Sequence, residues 1–385
     1  MRLAGVAALA LAALWPATAT ASAGGAGLQW QAFEHLEGVF DVAGPLPDGR
    51  VVAATSKGLL EVDPTNGGTT ALGPKGDQQG EAYIAVAPSL PAPPAGTGCA
   101  FAQGDVYQLR LGGTPGVNRI DLQGTVHRFA DLGSAGSLNG IAFDATGRFG
   151  HRLLVSGAHR GGSTVVALDC AGRGRLVTDQ GPTLEGGLAV APASFGRFGG
   201  DLVAPDELTG KLLAIRPDGT SAVIASSGLP TGQDIGVEGV GFVPAGFSAG
   251  GEAYFSDRAT SNNAHLGTDT LLRLDAAQLS RAGVREGDLV VATEGGARTI
   301  GVRCTQSCRV YTVGQGSGRA HGEGHVLVRA QHLQPAGALP AERLGTARDQ
   351  AGLPGQAVAL VVIVALGVIG AMVWLPMWRR KRRQT

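Results

Sequence analysis

The run Leu184-Glu185-Gly186-Gly187-Leu188-Ala189-Val190-Ala191, followed by Asp201–Ala204, Lys211–Ile215 and Ser221–Ala225, decides the fold of this chain. Four short apolar runs are separated by Gly199-Gly200, by Leu208-Thr209-Gly210 and by Pro217-Asp218-Gly219. Glycine supplies positive φ, aspartate binds backbone N–H groups ahead of it, and proline presets the first turn dihedral. Each separator therefore reads as a tight turn, and the unit as one four-stranded antiparallel sheet.

The same grammar recurs along the chain. Ile141–Phe143, Arg152–Ser156, Thr164–Asp169 and Arg175–Thr178 form a matching unit. The strand openings Leu36-Glu37-Gly38-Val39, Glu81-Ala82-Tyr83-Ile84, Leu138-Asn139-Gly140-Ile141, Leu184-Glu185-Gly186-Gly187 and Val237-Glu238-Gly239-Val240 are alike, with a weaker one at Thr299-Ile300-Gly301-Val302. Six units of roughly fifty residues suit a radial array of four-stranded blades, so the expected fold class is all-β, a six-bladed β-propeller. The last unit offers three strands, Thr299–Arg303, Arg309–Val313 and Val326–Ala330, and Leu28–Phe33 is expected to add the fourth and close the ring. Asp63, Asp121, Asp169 and Asp275, each ending a third strand, read as turn formers. A β-sandwich is the alternative, and one regular array of about 300 residues is less suited to it.

The 385 residues include 63 glycines, dense but without the triplet period of collagen. The formal charge is zero because unlike parts cancel. Arg2 is the one charge in residues 1–23, and Arg379, Arg380, Lys381, Arg382 and Arg383 crowd the last seven, which leaves −6 on residues 24–378. An acidic body offers no footprint for a phosphate backbone, so nucleic acid is not an expected partner.

The ends read as address labels. Residues 1–23 have a basic start, the apolar run Leu3–Trp15 and the small-residue site Ala21-Ser22-Ala23, as in a secretory signal peptide. Ala357–Trp378 carries no charge over 22 residues, about 33 Å as a helix, with Trp374 and Trp378 at its end and the basic tail 379–385 after it. This predicts one C-terminal transmembrane α-helix, single-pass and type I, in the cell membrane, with the propeller (24–333) outside the cytoplasm. Residues 334–356, rich in Pro, Ala and Gly, read as a stalk. The expected partners are the membrane and an unknown extracellular ligand or protein.

Cys99, Cys170, Cys304 and Cys308 all lie in the part expected to be exported, where disulfides persist. In the propeller register Cys99 and Cys170 emerge on the same face of neighbouring blades. The expected pairs are Cys99–Cys170 and Cys304–Cys308. A zinc site is the competing reading, but no second close cysteine pair or spaced histidines support it.

Several catalytic motifs are missing, among them GxxxxGK[ST] and HExxH. Gly246-Phe247-Ser248-Ala249-Gly250 matches a nucleophile elbow in letters, yet a strand follows it where a helix is needed, so it reads as a loop. Gly314–Gly324 is glycine-rich without a dinucleotide fingerprint. The strand openings say more. In a propeller the innermost strands line the channel, so Glu37, Asn139, Glu185 and Glu238 would converge at one mouth. Carboxylates crowded in a partly dry channel call for a cation or a proton. Oxygen ligands of this kind suit Ca²⁺, or Mg²⁺ or Mn²⁺.

At Asn139-Gly140-Ile141-Ala142-Phe143-Asp144, at Glu37-Gly38 and at the Pro217-Asp218-Gly219 turn, the sequence resembles the regucalcin/gluconolactonase family and its NHL-type and strictosidine-synthase-like relatives. The resemblance implies six blades and a divalent metal held from blades 1, 3, 4 and 5. Glu37 and Asn139 match the family's ligand types, whereas Glu185 stands for Asn and Glu238 for Asp. It also implies lactonase chemistry, a metal-polarised carbonyl attacked by water. Glu81, His159, Asp257 and His265 are the further residues expected at the ligand-binding mouth. Two functions stay open: a membrane-anchored module that binds a ligand or partner, and a metal-dependent lactone or ester hydrolase.

Overall fold

The computed structural model describes residues 27–76, 80–91 and 99–331. The expected signal peptide, stalk, transmembrane helix and basic tail lie outside the described residues. Among the described residues, no helix is long and apolar enough to cross a membrane.

Six sheets stand around an axis, and the all-β, six-bladed propeller is what the chain forms. Blade 1 is Val39–Ala43, Val51–Thr55, Gly58–Val62 and Thr69–Leu72, counted from the axis outward. Blade 2 is Ile84–Val86, Val106–Arg110, Gly116–Ile120 and Val126–Asp131. Blade 3 is Ser137–Phe143, Leu153–His159, Gly162–Leu168 and Gly174–Gly181. Blade 4 is Ala189–Val190, Leu202–Asp206, Lys211–Ile215 and Ser221–Ser226. The turns behave as their residues dictate. Asp63, Asp121 and Asp169 accept backbone N–H groups of the turns that follow them. Asp275 instead caps the short helix Ala276–Arg281, in a reciprocal pair with Gln278.

Blades 5 and 6 depart from the expected order. Blade 5 runs from Val237–Phe242 through Leu289–Thr293 and Thr299–Cys304 to Cys308–Gln315, with Leu28–Gln29 added in parallel at the rim. Blade 6 has Gly322–Ala330 innermost, then Gly251–Asp257 and Thr270–Asp275, with Gln31–His35 outermost. Thr299–Arg303 and Arg309–Val313 thus belong to blade 5 and not to the last blade. The hairpin 251–275 leaves blade 5 to pair with the C-terminal strand. Alternation of apolar residues marks a strand but not its partner, and two interleaved blades carry the same alternation as two consecutive ones. The N-terminal segment does close the ring, against both blades.

The core lies between the blade faces. Val51–Thr55 is buried throughout, whereas outer strands such as Gly174–Gly181 are mostly exposed. Near the axis, backbones meet without side chains between them. A Cβ on Gly239 would stand 2.4 Å from the Gly324 carbonyl oxygen, and one on Gly241 would stand 1.7 Å from that of Val326. Only glycine allows these strands to approach so closely.

Both expected disulfides are present. Cys99–Cys170 ties blade 2 to blade 3 beside a cluster of Phe101, Tyr107, Phe129 and Phe143, whose rings lie 4.9 to 6.2 Å apart. Cys304–Cys308 closes the third hairpin of blade 5. At the seam, Trp30 is buried and its indole N–H donates to Thr299 Oγ1 at 2.7 Å. Trp30→Ala should lower the stability of the full chain by about 3–5 kcal/mol, as for other buried aromatics. Unchanged thermal unfolding would mean that the N-terminal segment does not hold the ring.

Candidate functional site at the channel mouth

The innermost strands begin at one end of the channel, and the acidic residues gather there. Glu238 opens the innermost strand of blade 5 and Glu323 that of blade 6, and both are buried. Glu207, Glu294 and Arg258 follow directly after the second strands of blades 4, 5 and 6. The Tyr83 hydroxyl, from blade 2, lies 2.5 Å from Glu323 Oε1 and 3.1 Å from Glu238 Oε1. A phenol has one proton to give, so the second of these contacts requires a protonated carboxyl. Burial pushes Glu238 well above the usual carboxylate range, with the charge of Glu323 adding to it. Burial likewise lifts Glu323 to about 8, with Glu81 and Glu294 adding, against the Tyr83 hydrogen bond and Arg258.

Beside this pair stands His321, whose Nε2 is 3.0 Å from Glu294 Oε1 and 3.9 Å from Glu323 Oε2. One nitrogen and two carboxylate oxygens of these three residues lie within 4.8 Å of one another. Burial lowers the pKa of His321, which favours a neutral imidazole with a lone pair to offer. Its Nδ1 and Oε1 of Glu207 are buried with no hydrogen-bond partner among the described residues. Glu207 rises to about 8 through burial, then through the charge of Glu294 and the hydrogen bond between them. Glu294 rises to about 7, again chiefly through burial. The two carboxyls are thus coupled, each raised toward neutral pH.

The floor of the mouth is an ion pair on the axis. His325 Nδ1 lies 2.9 Å from Asp41 Oδ1, and Nε2 lies 3.0 Å from the Ile141 carbonyl oxygen. Both nitrogens face acceptors, so the ring holds two protons and is an imidazolium. Burial acts to lower its pKa, but the charge and hydrogen bond of Asp41 outweigh it and raise it. Asp41 also accepts from the backbone N–H of Val42, Ile84 and His325 at 2.9, 2.7 and 2.8 Å. One carboxylate thus pins strands of blades 1, 2 and 6, and its histidine reaches blade 3.

Of the four residues expected to hold a metal, the structure brings Asn139, Glu185 and Glu238 together but not Glu37. Glu37 is exposed, on a cleft with Thr55, Lys57 and Pro74, and no hydrogen bond or ion pair among the described residues joins it to the cluster. Asn139 donates to the Leu184 carbonyl at 2.7 Å, and its Oδ1 accepts from Ser156 at 3.0 Å, so it holds blade 3 to blade 4. Glu185 rises to about 7 through burial and the charge of Glu207, against hydrogen bonding from Asn139.

Of the other expected mouth residues, Glu81 is in the site, bonded to Arg258. Asp257 is structural, accepting from the His321 backbone N–H at 2.7 Å and from Thr268 Oγ1 at 2.6 Å. His265 Nδ1 contacts the Gly318 carbonyl at 2.9 Å and ties two loops together. His159 is half-buried at a hairpin tip in blade 3, where it pairs with Gly162, and its side chain makes no hydrogen bond or ion pair to another described residue. Ser248 of the elbow-like motif sits in a short turn and donates to Glu286 at 2.8 Å, as a loop residue.

Tyr83, Glu207, Arg258, Glu294, His321 and Glu323 were not singled out from the sequence as site candidates, although Tyr83 falls within one of the quoted strand openings. One signal was present. Glu323-Gly324 repeats the Glu-Gly opening of Glu37-Gly38, Glu185-Gly186 and Glu238-Gly239, within the alternating His321-Gly322-Glu323-Gly324-His325.

Fold and mouth together define a six-bladed propeller with a buried acidic site, one histidine among its carboxylates, at one end of its axis. No family model matches the sequence. Over 109 residues, 28% of the chain, it is 35% identical to 4-hydroxy-tetrahydrodipicolinate reductase of Alkalilimnicola ehrlichii, and it covers 39% of that protein's length. In structure it is similar to the calcium-binding protein regucalcin of Agrobacterium tumefaciens, at 11% identity over 80% of this chain and 88% of that one, with a TM-score of 0.45. It is also similar to a gluconolactonase of Xanthomonas campestris, at 15% identity over 59% of this chain and 68% of that one, with a TM-score of 0.36. The six-bladed fold expected from the sequence is the one its six sheets form.

Proposed function

We propose that the mouth is a divalent-cation site through which an exported, membrane-anchored propeller binds an oxygen-bearing small molecule. The observation that carries this reading is the triad Glu294, His321 and Glu323, with ligand atoms within 4.8 Å of one another and the unpartnered, buried Glu207 Oε1 beside them. A cation there would offset the burial and the mutual repulsion that raise these carboxyls above the usual range. The donor set tests which cation fits. An imidazole nitrogen with two carboxylates suits Mn²⁺ or Zn²⁺ better than Ca²⁺, which prefers oxygen alone. Glu294, His321 and Glu323 would hold the ion, Glu238 would stand next to it, and Tyr83 would fix Glu323. The ion would supply a Lewis acid for a ligand oxygen.

Titration calorimetry of the full chain with Mn²⁺, Zn²⁺, Ca²⁺ and Mg²⁺ tests this. His321→Ala and Glu323→Gln should each weaken binding by at least about tenfold, comparable to losses at metal sites when a supporting group is removed. Glu37→Gln should leave it unchanged. Absence of binding by any of the four ions at millimolar concentration would end the metal reading.

Hydrolysis of a lactone or ester is the second reading, and the Glu207–Glu294 pair favours it. Glu207, beside Glu294 and with a buried oxygen that has no partner among the described residues, is placed to accept and return a proton next to the ion. Glu207→Gln would then abolish turnover while cation binding persists. Binding without turnover of lactones or esters would leave the binding module.

A further inference from the structure

The Arg258 guanidinium is the one cationic side chain bonded to the cluster's carboxylates among the described residues. It reaches both Glu81 and Glu323 through the same nitrogen, Nη1, the latter at 3.5 Å. Its Nε and Nη2 make no hydrogen bond to any described residue, and the side chain is 30% exposed. Three of its five N–H donors therefore meet no acceptor among the described residues, in a fork shaped for an oxyanion. Its rim partner Glu81 is 43% exposed, so that contact is an exchangeable one. The shared neighbour, Glu323 Oε2, is 3.9 Å from His321 Nε2, so the guanidinium and the triad meet at one carboxylate.

We propose that the ligand of this mouth is an oxyanion, a carboxylate or a phosphate, clamped by Arg258 while a second oxygen faces the cation held by Glu294, His321 and Glu323. The inference rests on the cation reading above and adds the class of ligand and the order of binding. Glu81 and Glu323 both hold the guanidinium, and a cation seated against Glu323 offsets the charge that an arriving anion would otherwise meet there. Cation first, anion second is the order this geometry allows. By linkage, the anion must then tighten the cation to the same degree.

The test uses calorimetry on the full chain, with the metal alone first and then with glycolate, inorganic phosphate and neutral ethylene glycol as probes. With saturating Mn²⁺, glycolate or phosphate should bind and ethylene glycol should not, and whichever anion binds names the source. Without the metal, neither anion should bind. Arg258→Gln should weaken anion binding at least tenfold with cation affinity kept or raised. Glu81→Gln, which frees the fork from its rim partner, should strengthen anion binding several-fold. This opposite direction separates a clamp from a variant that merely misfolds. Cation binding with no anion binding would overturn the proposal and spare the cation reading. Equal anion binding with and without metal, or in Arg258→Gln, would also overturn it. Loss of cation binding in the unaltered chain would strike the earlier reading instead.

Discussion

Freed of divalent cations with a chelator, the full chain should melt at a higher temperature at pH 5 than at pH 8. Most proteins held by ion pairs do not behave so. Here the folded pKa values of Glu185 and Glu294 are raised to about 7 and those of Glu207 and Glu323 to about 8, chiefly by burial. A carboxyl raised in the folded state binds its proton more tightly there than in the unfolded chain. Its contribution to stability is complete below the unfolded value and is lost as pH climbs through 7 to 8. His325 acts in the same direction, since its pKa is also raised and its contribution fades with rising pH. One such carboxyl is worth roughly 3 kcal/mol. Because the four crowd one another their shifts overlap, and the expected total is that of one or two groups, about 3–7 kcal/mol or on the order of 10 °C. At the acid end the turn aspartates set the limit. Asp121 and Asp218 are lowered, mainly by hydrogen bonds from backbone N–H groups and from His127 or Thr220, so their contribution is lost as pH falls below the usual aspartate range. Millimolar Mn²⁺ should flatten the pH 5–8 slope, because an ion that binds only the folded form stabilises it by mass action. A melting temperature that is flat or rising from pH 5 to pH 8 in chelator would contradict this account of the mouth.

The second large effect is expected at the axis. Asp41→Ala should destabilise the ring by about 3–5 kcal/mol, since it leaves a buried imidazolium without its counter-charge. It also orphans the backbone N–H groups of Val42, Ile84 and His325. His325→Leu should cost less, because Asp41 keeps its three backbone donors. Combining the two should cost little more than Asp41→Ala alone, for with the carboxylate gone the cation is only a liability. The resulting coupling should reach roughly 2–3 kcal/mol. Strict additivity in equilibrium unfolding would mean that the pair is not a unit.

How far the sequence disclosed this molecule depended on whether the information was local. Blades 1 to 4 were legible because each is one continuous stretch, cut by residues such as Pro217-Asp218-Gly219 that fix a turn by their own chemistry. The cysteine pairs followed from that register. The exchange between blades 5 and 6 was not legible, because nothing in Gly251–Asp257 states whether it will pair with Val237–Phe242 or with Gly322–Ala330. That error hid the site. With the last blade opened at Thr299, Glu323-Gly324 fell in the glycine-rich stretch Gly314–Gly324, ahead of the strand Val326–Ala330, and its likeness to Glu238-Gly239 went unused. Glu207 and Glu294 were invisible for another reason. They lie one residue past a second strand, a position that carries Ser56, Leu111, Arg160, Glu207, Glu294 and Arg258 in the six blades, with no shared phrase to mark it. Asn139 shows the converse, a residue in the right place whose oxygen is taken by a neighbouring serine.

The interleaving of the last two blades has a mechanical consequence. Backbone passes between blades 5 and 6 at 29–31, 242–251, 275–289 and 315–322. A ring sealed by one added strand can be peeled open like a zip, one hydrogen bond at a time. Here, tension applied between residues 28 and 331 is carried across the whole width of blade 6, from the rim strand Gln31–His35 through two further strands to Gly322–Ala330 at the axis. The innermost strand cannot slide out without dragging the hairpin 251–275, which is itself threaded between two parts of blade 5. All three ladders of blade 6 must therefore hold together under such a load, and the two ends of the propeller behave as the jaws of a single clasp.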